Sequence, residues 1–309
     1  MMAFGAAGPS MKVRLDHLMT YTNAPALDEV LEGYRRAGFS MSDWTNRHEP
    51  GLRNGFVPLG PEYLEICWVE DEEAFRRGDP QGHELIEDPR VCGIAFTCSD
   101  LRALRDSWVT RGVQVPEPWA AIEPGTSEGP KWTFQEIPGH LLPGAGCFAL
   151  SYHRPRPPLR VGPNTIFGLE GVTLVTPSPE KRALRWQAVL APEGELAEEE
   201  GGGLRLELGP HFARWLSVDA FAQQFGRDFR PAVHPMGDTA AVHLLAEDIG
   251  EARRWMESAG RRTEPSADGG LLCGPDPRDG VLFVIRQASF QEWLSRRRAR
   301  GEVLRTRDP

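Results

Sequence analysis

The chain has 309 residues, 40% of them hydrophobic and 26% charged, a composition typical of a globular protein of about two domains. No apolar run approaches the ~18 residues of a membrane-spanning helix, and the N-terminus lacks the basic and apolar segments of a secretory signal. The net charge of −9 disfavours nucleic acid as a partner, because an acidic surface repels phosphate groups. The five cysteines form no CxxC pair, and we expect them to be buried and reduced in a cytoplasmic protein without membrane contacts.

One pattern recurs four times along the chain: an apolar strand, a polar turn, an amphipathic helix and further short strands. The four copies begin VRLDHLMTYT, RVCGIAFTCS, GLEGVTLVTP and TAAVHLLAED. Aligning these strands places His17, Gly93, Gly171 and His243 at one equivalent position, at intervals of about 75 residues. Regular self-similarity of this kind indicates repeated supersecondary units.

The predicted helices support the same register, because each carries an apolar stripe at helical spacing. The first stripe comprises Leu27, Val30, Leu31 and Tyr34, and the second comprises Leu101, Leu104 and Trp108. Ser99 or Asp100 is placed to cap the second helix. Ser178 followed by Pro179 predicts the start of the third.

The four units group in pairs. Residues 59–69 (LGPEYLEICWV) match residues 208–218 (LGPHFARWLSV), so the first unit resembles the third more than its neighbour. The proline-rich segment 153–164 predicts a linker between the pairs, because prolines keep a chain extended. The pattern therefore predicts an α+β protein of four βαβββ units. Its segments are 12–152, the linker 153–164, a second pair at 165–287, and a C-terminal basic helix at 288–309.

The tandem βαβββ unit resembles the vicinal oxygen chelate superfamily, and the N-terminal half is most similar to its glyoxalase-like domain group. The matching residues are Leu15-Asp16-His17-Leu18, the stretch His48-x-x-Gly51-x-x-Asn54, and Tyr63-Leu64-Glu65. The resemblance implies that two units pair into a half-open barrel that holds the active site. The superfamily includes glyoxalase I, extradiol dioxygenases and antibiotic-sequestering proteins.

The resemblance further implies a divalent metal site at His17 and Glu65, which match the ligand positions on the first and last strands of a unit. Imidazole nitrogen and carboxylate oxygen suit Zn, Ni, Fe, Mn or Co. A solvated Glu65 and a structural His17 are the alternative. The second unit has Gly93 and a position near Ser151 where further ligands would stand, and neither residue type is a normal ligand. His153 would share the strand face of Ser151 and is a third candidate ligand.

Further candidates lie around the same predicted cavity. His48 is placed to shuttle a proton, and Glu65 is the second catalytic candidate. The candidates for substrate binding are Arg53, Asn54, Tyr63 and Ser151. An ordinary polar hairpin turn is the alternative explanation for the stretch around His48.

The C-terminal half keeps only His243 of a two-histidine, one-carboxylate iron triad, since Gly171 and Arg214 stand at other ligand positions. We therefore do not expect ring-cleaving dioxygenase activity there, and we interpret this half as degenerate. The terminal segment WLSRRRAR (293–300) predicts a solvated basic helix, with a homodimer contact or weak polyanion binding as the alternatives.

Two functions remain open from the sequence. The first is a metal-dependent lyase, isomerase or hydrolase that acts on a small oxygenated or carbonyl substrate, with the metal polarising the substrate oxygen. The second is a non-catalytic protein that binds or sequesters a small molecule in the same cavity without metal.

Overall fold

The computed structural model describes residues 13–41, 45–46, 51–78, 89–121, 130–142, 146–154, 156, 158–192, 194–199, 201–226 and 239–305. The strands of the first two units are β1 (Val13–Thr22), β2 (Thr45–Asn46), β3 (Leu52–Leu59), β4 (Glu62–Val69), β5 (Val91–Cys98), β6 (Trp119–Ala121), β7 (Trp132–Ile137) and β8 (Gly146–Tyr152). Those of the last two are β9 (Ile166–Val175), β10 (Leu196–Glu199), β11 (Gly203–Leu208), β12 (His211–Leu216), β13 (Thr239–Ala246), β14 (Thr263–Pro265), β15 (Leu271–Cys273) and β16 (Phe283–Gln287). The helices are α1 (Leu27–Arg36), α2 (Glu72–Gly78), α3 (Leu101–Val109), α4 (Pro179–Leu190), α5 (Val218–Phe225), α6 (Ile249–Ser258) and α7 (Phe290–Ala299).

The strands of both halves are arranged in the same order. The first half runs β2-β3-β4-β1-β5-β8-β7-β6, and the second runs β10-β11-β12-β9-β13-β16-β15-β14. Within each unit the first and last strands pair in parallel, and the first strands of neighbouring units pair antiparallel. One pair, Thr239 with Val91, connects the two halves into a single sheet. The prediction of an α+β fold is therefore confirmed.

The helices begin where their capping residues predict. Asp100 Oδ1 accepts a hydrogen bond of 2.9 Å from the backbone N–H of Ala103 at the start of α3. Ser178 precedes α4 as predicted, but its side chain makes no capping bond, so Pro179 alone defines this start. Within the described residues, no helix is long and apolar enough to cross a bilayer.

The apolar core is shared by the two halves. The ring of Trp186 on α4 packs edge-on against Phe96 of β5 and Trp215 of β12, with centroids 5.8 and 5.3 Å apart. Trp108 of α3 donates a 3.0 Å hydrogen bond to the carbonyl of Val189. All five cysteines are buried and none forms a disulfide, in agreement with the expectation of reduced thiols in the core.

The C-terminal helix α7 differs from the solvated basic helix expected from its sequence. The guanidinium of Arg297 is buried, and it contacts Glu62 at the start of β4 at 2.7 Å and Glu302 at 2.5 Å. Trp293 and Leu294 of the same helix are buried as well. This helix is therefore packed against the first half through a buried ion pair, rather than lying free at the surface.

Candidate functional site

A β-bulge in β1 creates the centre of the site. In the pairing of β1 with β5, Leu15 lies opposite Phe96 and His17 lies opposite Ala95, so Asp16 is an extra residue with no partner. A bulge redirects the side chains around it, and here it brings two consecutive side chains into contact. Nδ1 of His17 lies 2.7 Å from Oδ1 of Asp16, and both side chains are buried.

The carboxylate of Glu65 faces the other side of the His17 ring. The parallel pairing of β1 and β4 places Glu65 beside Met19, two residues beyond His17, and Oε2 of Glu65 lies 3.5 Å from Nε2 of His17. Asn54 on β3 donates a 2.5 Å hydrogen bond from Nδ2 to the other oxygen, Oε1. Glu65 is 5% exposed and Asn54 is 4% exposed. The structure therefore brings together three of the residues selected from the sequence: His17, Glu65 and Asn54.

His17 is neutral at physiological pH. Burial lowers the pKa of the imidazole to about 4, and the nearby Glu65 carboxylate offsets this only in part. Asp16 also accepts a 2.9 Å hydrogen bond from the Tyr152 hydroxyl and pairs with Arg156, so its carboxylate oxygens act as acceptors. The His17 proton consequently lies on Nδ1, and Nε2 presents a lone pair to Glu65.

These atoms fit a divalent cation. A nitrogen lone pair and a carboxylate oxygen face each other at 3.5 Å, and Oδ1 of Asn54 is buried without a hydrogen-bond partner in the described structure. Nitrogen and oxygen ligands of this kind suit Zn, Mn, Fe, Co or Ni. Within the described ranges no cluster of three or more His, Cys, Asp or Glu side chains is placed to bind a metal. The protein would thus supply few ligands and leave positions for water or substrate.

Two tyrosines connect the site to its surroundings. The Tyr63 ring stacks on His17, with centroids 4.4 Å apart and an interplanar angle of 13°. Its hydroxyl bonds to Tyr152, whose own hydroxyl donates to Asp16. Burial raises the pKa of both tyrosines, and the Glu65 carboxylate adds to this effect. Both hydroxyls therefore remain protonated and act as donors.

An aromatic surface extends from the site to solvent along one face of β8, β7 and β6. Phe148 lies 5.4 Å from His17 between ring centroids, Phe134 stacks on Phe148 at 4.7 Å, and Trp119 lies 4.9 Å from Phe134. The Trp119 ring is 53% exposed and the two phenylalanines are half-buried. This aromatic row comprises Trp119, Phe134 and Phe148.

Three predicted site residues lie elsewhere. Arg53 is adjacent to Asn54, so its side chain points to the opposite face of β3, where Nη2 lies 3.9 Å from Asp28 of α1. Ser151 lies beside Thr133 on the face of β8 opposite Tyr152. The exposed imidazole of His153 bonds to the same Thr133 at 2.8 Å. None of the three is brought to His17.

His48 lies outside the described residues, so its predicted role as a proton shuttle stays a prediction. Tyr152 and Arg156 are site residues that the sequence analysis missed. Strand alternation could have identified Tyr152, because residues an even number of positions apart share a face. Tyr152 therefore lies on the face of Phe148, and Ser151 lies on the opposite face. Arg156 follows the strand within the predicted linker, and nothing in the sequence marks it as a partner of Asp16.

The strand register also corrects the alignment of the second unit. Ala95, rather than Gly93, lies opposite His17, and Gly93 lies opposite Met19. Because Ala95 pairs with Phe148 as His17 pairs with Tyr63, Leu150 is the residue equivalent to Glu65. The second unit therefore contributes apolar side chains at both equivalent positions.

In the second half, the side chains around His243, the residue aligned with His17, differ from those around His17. Nε2 of His243 lies 2.7 Å from the Thr173 hydroxyl, and Arg214 donates to the same hydroxyl at 3.0 and 3.2 Å. Burial lowers the pKa of His243 well below its usual value, and Arg214, Arg286 and Arg205 lower it further. A Cβ at Gly171 would meet Phe212, so this position is closely packed.

Comparisons with known proteins agree with this architecture. A sequence model described as "Glyoxalase-like domain" matches residues 15–190. A hypothetical protein from Staphylococcus aureus superposes with a TM-score of 0.61 at 12% identity, covering 89% of this chain and 100% of that one. No curated protein matches the chain in sequence.

Two further solved structures have stated activities or ligands. A mutant of 4-hydroxymandelate synthase from Streptomyces coelicolor gives a TM-score of 0.54 at 13% identity, covering 89% of this chain and 92% of that one. The Mn(II)-bound glyoxalase from Novosphingobium aromaticivorans gives 0.54 at 11% identity, covering 90% and 83%. At these identities the likeness establishes the fold, which is that of the vicinal oxygen chelate proteins. The sequence match over more than half of its length shows that the chain belongs to the glyoxalase-like domain family.

Proposed function

We propose that the first half is a metal-dependent site for a small oxygenated or carbonyl substrate, with His17 and Glu65 as the metal ligands. The observation that carries this proposal is the buried carboxylate of Glu65, which faces the lone pair of a neutral imidazole. Burying an ionised carboxylate is costly unless it is paired or coordinates a cation. In the described part of the chain, the titratable side chain that Glu65 contacts is His17, which carries no charge to balance it.

Each neighbouring side chain has a definable part in such a site. Asp16 holds the proton on Nδ1 and keeps Nε2 available as a ligand, an arrangement common around protein-bound metals. Asn54 orients the Glu65 carboxylate through Oε1, and the Tyr63 ring stacks on the imidazole of His17 and fixes its orientation. A bound divalent ion would act as a Lewis acid on the substrate oxygen. Lyase, isomerase and hydrolase reactions are all compatible with this arrangement.

The aromatic row favours a substrate with a planar apolar part. Exposed aromatic rings that border a polar centre are typical of small-molecule sites, where they supply contact area while a few polar groups set the orientation. A ligand that extends from Glu65 along Phe148 and Phe134 would reach Trp119 at the surface. Arg53 and Ser151 point away from this path, so we base the proposal on Asn54 and Tyr63 as the substrate-facing polar residues.

The metal site is tested by equilibrium dialysis of tag-free protein against Mn²⁺ and Zn²⁺. We expect about one ion per chain, and an affinity that falls at least tenfold in Glu65→Gln, because the amide removes the ligand charge while preserving shape. Glu73→Gln, at an exposed position on α2, is the matched control and should bind as the wild type does. Equal binding by the wild type and Glu65→Gln, or by neither, contradicts the proposal.

A second candidate is a non-catalytic binding protein. The observation that favours it is the pair Ala95 and Leu150, which removes two of the four ligand positions. In that case the aromatic row binds ligand without metal. Absence of bound metal together with retained binding of an aromatic ligand would favour this candidate over the enzyme.

The aromatic row can be tested independently of the metal. Trp119→Ala is expected to weaken binding of the planar probe 8-anilinonaphthalene-1-sulfonate by about 2- to 10-fold, because one stacking contact contributes about 0.5–1.5 kcal/mol. Fluorescence titration measures the effect. Leu184→Ala, which removes an equally exposed apolar side chain from α4, should leave the affinity unchanged. If both variants bind the probe equally, the row is not the binding surface.

A further inference from the structure

A small, partly open cavity lies beside Arg156, the guanidinium group that pairs with Asp16. Its volume is about 40 Å³, and its walls come from β1, the segment that follows β8, helix α7 and the C-terminal residues 302–305. Four arginines line it: Arg14, Arg156, Arg297 and Arg305. A cavity holds a water molecule once about 10–15 Å³ is accessible to a water-sized probe, so this one has room for a small ion.

The contacts around the cavity leave positive charge in excess. Glu302 pairs with Arg14 at 2.8 Å and with Arg297 at 2.5 Å. Glu62 pairs with Arg297, and Asp16 pairs with Arg156. In the described part of the chain, these three carboxylates face four guanidinium groups.

The histidines that contact these carboxylates do not change the balance. A histidine is either neutral or positively charged, so His17 and His211 supply no negative charge that could offset the excess. One positive charge therefore remains without a partner among the described residues.

The lowered pKa of Arg156 agrees with an excess of positive charge around the cavity. Burial lowers the pKa of its guanidinium to about 9, and repulsion from Arg14 and Arg297 contributes to the shift, while Glu302 opposes it. Arginine normally stays charged in proteins, so its charged form is held here at a free-energy cost. A negative charge in the cavity would remove part of that cost.

We propose that this cavity binds a small monovalent anion of the halide class, with chloride as the physiological representative. Its volume fits a single small ion, and its guanidinium groups supply the N–H donors that a halide accepts. Arg156 also donates to the Pro61 carbonyl at 2.6 Å and lies over the Tyr152 ring at 4.3 Å, so its position is set by the first half. The bound anion would stabilise the charged form of Arg156, which pairs with Asp16.

The test is a thermal unfolding titration in which sodium chloride replaces sodium gluconate at constant ionic strength and pH 7.5. An ion that binds the native state raises the melting temperature in a saturable manner that follows its concentration relative to Kd. We expect this saturable rise in the wild type and its loss in Arg14→Gln and Arg305→Gln. Arg305 is exposed, so its variant should fold even if the other does not. Arg254→Gln, on an exposed face of α6, is the control and should keep the rise.

A crystal soaked in bromide locates the ion through its anomalous signal, which we expect inside the cavity. A melting temperature that does not saturate with chloride overturns the proposal, as does a saturable rise that Arg14→Gln and Arg305→Gln both retain. A bromide peak without the solution effect shows binding at crystal concentration only and also overturns it.

Discussion

Replacing Arg297 by methionine is expected to lower the free energy of unfolding by about 3–5 kcal/mol, because it leaves a buried carboxylate without its partner. Arg297 and Glu62 are each 2% exposed and lie 2.7 Å apart. Arg297 and His211 hold the pKa of Glu62 down to about 2 against the opposing effect of burial. Chemical denaturation monitored by circular dichroism measures the loss.

The matched control is Arg296→Met, one residue earlier on α7 and exposed to solvent. It should change the free energy of unfolding by less than about 0.5 kcal/mol. The double variant Arg297→Met/Glu62→Leu should recover most of the loss, since a buried ion pair can often be replaced by apolar groups without large cost. A single variant as stable as Arg296→Met would show that α7 is not held by this pair.

The protein is expected to lose stability as the pH falls from about 6.5 to 4. His17, His211 and His243 are buried, and burial lowers the pKa of each. In this window the unfolded chain binds protons that the native state does not, so the free energy of unfolding decreases with decreasing pH. His17 alone, with its pKa lowered from 6.5 to about 4, contributes roughly 3 kcal/mol by this linkage.

A further loss follows below pH 4.5 from Glu62. Its native pKa of about 2 is depressed, so its stabilising contribution is present above pH 4.5 and disappears as the pH falls toward 2. Denaturation curves recorded between pH 8 and 2 measure both phases. His17→Gln should flatten the slope between pH 6.5 and 4, while His153→Gln, which removes an exposed imidazole, should not. Equal slopes in the two variants would mean that His17 titrates normally in the native state.

Local patterns in the sequence predicted much of the architecture. The apolar segment VRLDHLMTYT is β1 without a change of boundary, and the other three repeats begin within two residues of β5, β9 and β13. Hydrophobic periodicity and capping residues act over a few positions, so they can be read without knowledge of the fold. The resemblance carried by Asp16-His17 and Glu65 likewise led to two side chains that the structure places in contact.

The sequence was a poorer guide to which face of each strand points into the site. The sequence analysis selected Ser151 and His153, whereas the neighbouring Tyr152 reaches Asp16. Side chains alternate between the two faces of a strand, so a shift of one residue moves every side chain to the other face. The sequence does not show which of the two alternating sets points into the site. Arg53 and Asn54 illustrate the same uncertainty, since they are adjacent but face α1 and Glu65 respectively.

The sequence by itself predicted the α+β fold, the strands that begin the four repeats, the helices, and the two residues, His17 and Glu65, at the centre of the proposed site. Tertiary structure alone decided that a bulge joins Asp16 to His17, that Arg156 and Tyr152 support this pair, and that Arg297 of the last helix neutralises Glu62. These contacts join residues up to 235 positions apart. They depend on how strands twist and pack, and such long-range geometry leaves no periodic signal in the chain.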